Sequence, residues 1–202
     1  MKVLTVEFVT SGARASDAPR DGLPQIALVG RSNVGKSSLV NALARRKVAR
    51  TSAAPGKTRL LNVYRVRLGV PGRSLRGGSL YLVDLPGYGY ARGGAAAARA
   101  FETLTTDYFS SGLVDGAVLA LDGRHPGLAS DRAAFAWLEE RDVPLVLVAT
   151  KIDRLSRAER RRVLDSFATS FDAPVVPVSA VTGEGLDDLW KLIAKMASRQ
   201  RP

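Results

Sequence analysis

The stretch QIALVGRSNVGKSSLVN, residues 25–41, decides how the rest of the chain is read. Residues 25–29 form a short, mostly apolar run of the kind a buried parallel strand shows. Gly30, Arg31, Ser32, Asn33, Val34, Gly35, Lys36 and Ser37 then satisfy G-x-x-x-x-G-K-[ST] at every fixed position, and Ser38 opens a stretch with helical apolar spacing. Strand, glycine loop and helix in that order are the context of a phosphate-binding loop. Gly30 and Gly35 let the backbone curl so that successive N–H groups point inward, and the helix beginning near Lys36 adds its positive end. Lys36 is placed to reach the β- and γ-phosphates, and the Ser37 hydroxyl to take one position on Mg²⁺. The stretch predicts a site for a nucleoside phosphate.

With 202 residues, the chain is long enough for one domain around a sizeable core. Cysteine is absent, which excludes disulfide frameworks and thiolate metal or redox chemistry. No apolar run reaches membrane-spanning length and residues 1–18 lack the apolar core of a signal peptide, so a cytoplasmic protein is expected. Charge is the unusual property: 30 Lys and Arg against 19 Asp and Glu, a formal +11. That surplus exceeds what a small polyanionic ligand requires and points to a large polyanion, nucleic acid before anionic membrane. An arginine-rich coding bias on a solvated surface accounts for the same number, and both readings stay open.

Outward from the phosphate loop, residues 1–24 read as an N-terminal arm with an extended candidate at 3–10, and residues 25–198 as the nucleotide-binding domain. Residues 48–59 lack hydrophobic periodicity and form a basic loop. Residues 60–68 alternate like a half-buried edge strand, 69–78 are a basic hairpin loop carrying Arg73 and Arg76, and 79–83 are the next strand. The Gly- and Ala-rich residues 88–98 read as mobile, before a helix over 101–109. Three β-α units follow, with strands at 114–121, 144–149 and 175–178; Pro177 places the last at a sheet edge. One helix opens on a capping box, Ser156 with Glu159, and the closing helix carries Leu186, Leu189, Trp190, Ile193 and Met196 on one stripe. The expectation is an α/β fold, a mostly parallel six-stranded sheet with helices on both faces and one antiparallel edge strand.

The remaining distinctive residues fall at predicted carboxyl ends of strands, where such sheets bind ligands. Asp84, Leu85, Pro86 and Gly87 fit D-x-x-G: the carboxylate can hold Mg²⁺ through a water and the Gly87 N–H can sense the γ-phosphate. Alternatively, Asp84 caps a turn that Gly87 permits. Thr150, Lys151, Ile152 and Asp153 address the base. The Asp153 carboxylate can accept from guanine N1–H and its 2-amino group; adenine offers neither donor, so the charge would be buried unpaired. The Lys151 stem can cover the purine face while its ammonium ties back to the phosphate loop. After Val178, Ser179 and Ala180 can bring a backbone N–H to guanine O6. Taken in this order, the patterns select GTP over ATP.

GRSNVGKSSL, RTSAAPGKTRLLN, DLPGYGYA, the segment Asp122–His125 and TKID together resemble the EngB-type ribosome-biogenesis GTPases, over about residues 6–197. The resemblance implies a Ras-like P-loop GTPase fold and a monomeric, cytoplasmic GTP/GDP switch that hydrolyses GTP with Mg²⁺. It further implies a role in late assembly of the large ribosomal subunit, and in normal cell division and septation. Gly56, Lys57, Thr58, Arg59 and Leu60 become the first switch, with the Thr58 hydroxyl joining Ser37 and Asp84 around Mg²⁺. Residues 84–94 become the second switch, and Lys36, Thr58 and Gly87 surround the transferred phosphoryl group. The chain departs from the pattern in a charge-poor second switch, a long basic loop at 69–78, and Thr150 where many GTPases carry Asn.

Many GTPases place Gln after the D-x-x-G glycine to orient the attacking water; here it is Tyr88, which predicts slow intrinsic hydrolysis completed by a partner or an ion. By the resemblance Asn33 helps coordinate K⁺; by its own chemistry it is an Asn that tolerates a tight turn. The implied partner is a large-subunit precursor, met through rRNA backbone and ribosomal proteins. Lys191, Lys195, Arg199 and Arg201, with Arg73 and Arg76, are the candidate phosphate contacts, recognising backbone rather than bases. Residues 159–163 (ERRRV) read as a solvated helix face, and the single histidine, His125, as structural. A GTP-regulated scaffold for division or membrane proteins is the alternative function.

Overall fold

The computed structural model describes residues 2–50, 60–69, 78–88 and 94–198. Seven strands form one sheet in the order β1-β3-β4-β2-β5-β6-β7. These are β1 (Lys2–Gly12), β2 (Gln25–Gly30), β3 (Leu61–Gly69), β4 (Ser79–Asp84), β5 (Val114–Asp122), β6 (Leu145–Thr150) and β7 (Val175–Pro177). Helices α1 (Lys36–Ala44), α2 (Gly94–Ser110), α3 (Ala129–Glu139), α4 (Arg157–Phe171) and α5 (Leu186–Ala197) connect and cover them. β2 and β4 are buried at every position, as their continuous apolar runs require of strands covered on both faces.

The sheet separates two cores. On one side α1 contributes Leu39, Val40 and Leu43 and α5 contributes Leu189, Trp190, Ile193 and Met196, against Ile26, Leu28, Val66 and Leu82. On the other, Leu104, Tyr108 and Phe109 of α2, Leu138 of α3, and Phe167 and Phe171 of α4 meet Ala27, Val29, Val83, Leu119 and Leu121. The α5 stripe is buried as its spacing predicts, and Trp190 Nε1 donates to Leu43 O at 3.3 Å, fastening α5 to α1. α4 begins at the expected capping box: Glu159 N donates to Ser156 Oγ at 3.3 Å and Ser156 N to Glu159 Oε2 at 2.7 Å.

The expected six-stranded sheet has a seventh member. The extended candidate in the N-terminal arm is β1, paired antiparallel with β3 from Lys2↔Gly69 to Gly12↔Leu61. Its inside-outside alternation is hard to see because the register shifts between Val3 and Thr5 and between Phe8 and Thr10. Leu4 and Val9, left between paired positions, are exposed. The strand over 60–68, read as an edge, lies one place in; β3 runs against both β1 and β4 and is the single reversed strand. β7 does lie at the sheet edge. Part of the segment read as mobile is ordered: α2 starts at Gly94. Trp190→Ala is expected to cost about 3–5 kcal/mol, from lost burial and a cavity between α1 and α5. A urea titration of the nucleotide-free protein reads it as a lowered midpoint at unchanged slope.

Candidate functional site

β2 lies at the centre of the sheet, hydrogen-bonded to β4 on one side and β5 on the other, and the phosphate loop leaves its carboxyl end. The carbonyls of this loop are drawn outward by protein donors. Gly30 O accepts from Lys36 Nζ at 2.9 Å and Arg31 O from Val34 N at 3.2 Å. Asn33 O accepts from Lys151 Nζ at 2.6 Å, Val34 O from Thr150 Oγ1 at 2.7 Å, and Gly35 O from Leu39 N at 2.8 Å. With these carbonyls engaged, and Ser32 N–H and Val34 N–H bonded to Tyr88 O and Arg31 O, the remaining N–H groups of the loop and the N-terminus of α1 are left for an anion. Gly35 is the N-cap at φ 112°, where a side chain would be strained. Asn33 is also left-handed, at φ 62°, which is what the turn reading of this residue asks for. Ser38 is exposed on the first turn of α1.

Lys36 and Asp84 are buried beneath the loop, 8% and 1% exposed. Burial lowers the Lys36 pKa while the Asp84 charge opposes it; burial raises the Asp84 carboxyl, opposed by the Lys36 charge and by the Ser37 hydrogen bond. Ser37 Oγ donates to Asp84 Oδ2 at 3.0 Å, and Asp84 Oδ1 is buried without a hydrogen-bond partner among the described residues. An unsatisfied buried carboxylate oxygen beside a hydroxyl suits a hydrated Mg²⁺, a hard cation that keeps most of its waters. The donor set of a Mg²⁺ site is therefore present in Ser37 and Asp84. The third expected ligand, Thr58, lies outside the described residues, as do Gly56, Lys57 and Arg59; Leu60 is described and exposed.

The D-x-x-G segment packs directly on the phosphate loop. Leu85 N donates to Leu28 O at 3.2 Å and Leu85 is fully buried; Pro86 is buried beside it. Ser32 Oγ donates to Gly87 O at 3.2 Å and Ser32 N to Tyr88 O at 3.0 Å. A Cβ on Gly87 would lie 2.6 Å from Ser32 N, so only glycine permits this approach. The Tyr88 hydroxyl donates to Asp131 Oδ1 on α3 at 2.9 Å. Burial, then the Asp131 charge, push the Tyr88 phenol far up, so it stays neutral and engaged. Burial raises Asp131 as well, against the Tyr88 hydrogen bond and the Arg31 charge. The Arg31 Nε is buried with no partner among the described residues. Asp131 carried no recognisable signal in the sequence.

The residues expected to read the base lie at the next carboxyl ends along the sheet. Thr150, standing where many GTPases have Asn, has its single hydroxyl proton between Val34 O of the phosphate loop at 2.7 Å and Leu121 O of β5 at 3.0 Å, so the hydroxyl holds the end of β6 against both. Lys151 has φ 59° and its ammonium bonds the phosphate loop as expected. Ile152 is buried, and its N–H donates to Val178 O at 3.4 Å. Asp153 Oδ1 accepts from Ser179 Oγ at 2.7 Å, and its Oδ2 is 3.4 Å from Arg154 Nε. The Ser179 hydroxyl in turn accepts from Val181 N and Thr182 N, and Ser179 N donates to Glu184 O. Ser179 is thus occupied in shaping the loop, whereas Ala180 N–H has no partner among the described residues. Of the candidate surface cations, Lys191 is paired with Asp188 at 2.7 Å; Arg73, Arg76, Arg199 and Arg201 lie outside the described residues.

The family described as 50S ribosome-binding GTPase matches residues 25–151. A probable GTP-binding protein EngB of Lactobacillus gasseri is 40% identical, the alignment covering 96% of this chain and 98% of the relative. One of Pelotomaculum thermopropionicum is 39% identical, covering 96% of each. Among solved structures, a probable GTP-binding protein EngB superposes with a TM-score of 0.65 at 23% identity, over 87% of this chain and all of the other. Era in complex with MgGDPNP and a segment of 16S ribosomal RNA gives 0.71 at 24% identity, over 89% of this chain and 58% of Era. Both confirm the α/β P-loop architecture. With its phosphate loop, D-x-x-G segment and TKID loop gathered on one rim of the sheet, the chain belongs to the EngB family of GTP-binding proteins and is a GTPase.

Proposed function

We propose that this GTPase is a monomeric, cytoplasmic switch for assembly of the large ribosomal subunit, with the division and septation role of its look-alikes following from that. The observation that carries the reading is the formal +11 on a chain whose nucleotide-binding segment matches a family of 50S ribosome-binding GTPases. A surplus of that size fits a partner built of phosphate backbone. Among the described residues no helix is long and apolar enough to cross a membrane. Residues 25–198 form the GTP-binding domain in this reading.

Within the site, Lys36 and the loop N–H groups hold the β- and γ-phosphates, Gly87 N–H senses the γ-phosphate, and Ser37, Thr58 and, through water, Asp84 hold Mg²⁺. Held by Ser37, Thr58 and, through water, Asp84, Mg²⁺ would neutralise charge that develops on the transferred phosphoryl group. Asp153 accepts from guanine N1–H and the 2-amino group, Ala180 N–H donates to O6, and the Lys151 stem covers the ring. Arg31, Ser32, Val34, Ser38, Lys57, Arg59, Leu60, Leu85, Pro86, Ile152 and Val178 complete the walls. Tyr88 supports slow intrinsic turnover, because its hydroxyl is committed to Asp131 rather than to an attacking water. An additional cation at Asn33, K⁺ in this reading, would add to the Lys36 and Lys151 ammonium groups the positive charge that an arginine finger supplies elsewhere.

Three outcomes are expected. GTP-loaded protein should sediment with purified large subunits at low salt, more than GDP-loaded protein, and lose them steeply as salt rises. Failure to sediment, together with binding to vesicles or a division protein, overturns the ribosomal reading. Asp153→Asn should move preference from GTP to xanthosine triphosphate, because the new amide can donate to the xanthine 2-oxo group; direct competition binding measures the exchange. Steady-state GTP turnover should be faster in K⁺ than in Na⁺ at equal ionic strength, and equal rates would remove the Asn33 assignment.

A further inference from the structure

Asp122, the last residue of β5, belongs to none of the nucleotide-binding patterns, yet it is the most heavily gripped carboxylate in the site. It is 2% exposed. Arg124 donates to Oδ1 through its backbone N–H at 3.1 Å and Nε at 2.9 Å, and to Oδ2 through Nη2 at 2.8 Å. Oδ2 also accepts from Lys151 Nζ at 2.9 Å. Burial works against the charge, but the Arg124 and Lys151 hydrogen bonds outweigh it and hold the carboxyl well below the usual carboxylate range. The group is an anion at every working pH.

Lys151 is the residue that this anion controls. Its backbone is left-handed, a conformation that costs a non-glycine residue free energy and persists where contacts enforce it. Its ammonium spans from Asp122 Oδ2 to Asn33 O, with the Asn33 contact at 2.6 Å, so one cation joins the end of β5 to the phosphate loop. The turn after β5 fits flush against the end of β6: Gly123 N donates to Thr150 O at 2.9 Å, and a Cβ on Gly123 would lie 2.7 Å from that oxygen. Without a fixed anion at 122, a four-carbon side chain with free rotamers would have to be ordered when the nucleotide binds.

We propose that Asp122 is a positioning residue for the guanine nucleotide: braced by Arg124, it holds the Lys151 ammonium against Asn33 O, so that the phosphate loop and the base loop keep a fixed span before the nucleotide arrives. The inference rests on the reading that Lys151 and the phosphate loop hold the nucleotide. Asp122→Asn keeps the shape and removes the charge. By calorimetry it should weaken GDP and GTP alike, on the order of tenfold, the scale of one charge-assisted hydrogen bond. The discriminating measurement is the same substitution in a Lys151→Ala background, where it should change the GDP dissociation constant by less than about twofold, because the group it acts through is gone. An equal loss in both backgrounds, or no loss in either, overturns the proposal. If Asp122→Asn gives no cooperative thermal transition, Arg124→Gln carries the same comparison. That variant loosens the brace from a half-exposed side chain, and a loss confined to the Lys151-containing background is again the expected result. The Asp153→Asn exchange toward xanthosine triphosphate tests the base assignment separately, so the two readings can fail independently.

Discussion

The fold rests on where the carbonyls of one short loop point. The carbonyls of Gly30, Arg31, Asn33, Val34 and Gly35 are taken by Lys36, Val34 N–H, Lys151, Thr150 and Leu39 N–H, donors drawn from within the loop, from α1 and from the end of β6. A peptide unit whose oxygen is pulled one way must present its N–H the other way. The anion-binding character of the loop is therefore set as much by what surrounds it as by its own glycines. Apart from Val34 N–H, each donor comes from an element, α1 or β6, whose place is fixed by burial in one of the two cores.

The same loop is a hub for the chain's charged groups. Lys36 and Asp84 lie beneath it, both desolvated and each easing the other's burial through space. The D-x-x-G segment lies on it through Ser32, which engages the oxygens of Gly87 and Tyr88. Across the sheet, Lys151 and Thr150 hold it from the base side. Gly87, Tyr88 and Asp131 on α3 are thus joined to the phosphate loop through a run of hydrogen bonds.

Much of this was legible beforehand, because the signals are local. A phosphate loop between a strand and a helix, a capping box at Ser156, and the α5 stripe each depend on residues within a few turns of one another. Lys151 reaching back to the loop follows from a long side chain placed at a strand end. The N-terminal strand was harder to read, since bulges at Leu4 and Val9 break the alternation by which a strand is recognised. The reversed strand beside it reads as an edge because β1, the strand that covers it, lacks that alternation. The start of α2 was obscured by glycine and alanine, which show no apolar period although the backbone there is helical.

What the amino-acid sequence determined by itself was the set of chemical groups, the order of strands and helices, and the nucleotide class, because these follow from motif spacing and hydrophobic period. The tertiary structure alone decided which distant groups meet. Tyr88 finds Asp131, Ser37 finds Asp84, Ser179 finds Asp153, and Asp122 finds Lys151 across separations that no local pattern records. The physical reason is that these contacts are made by the C-terminal rim of a sheet whose spatial order differs from its chain order. Only once β4, β2, β5 and β6 lie side by side do their ends form one site.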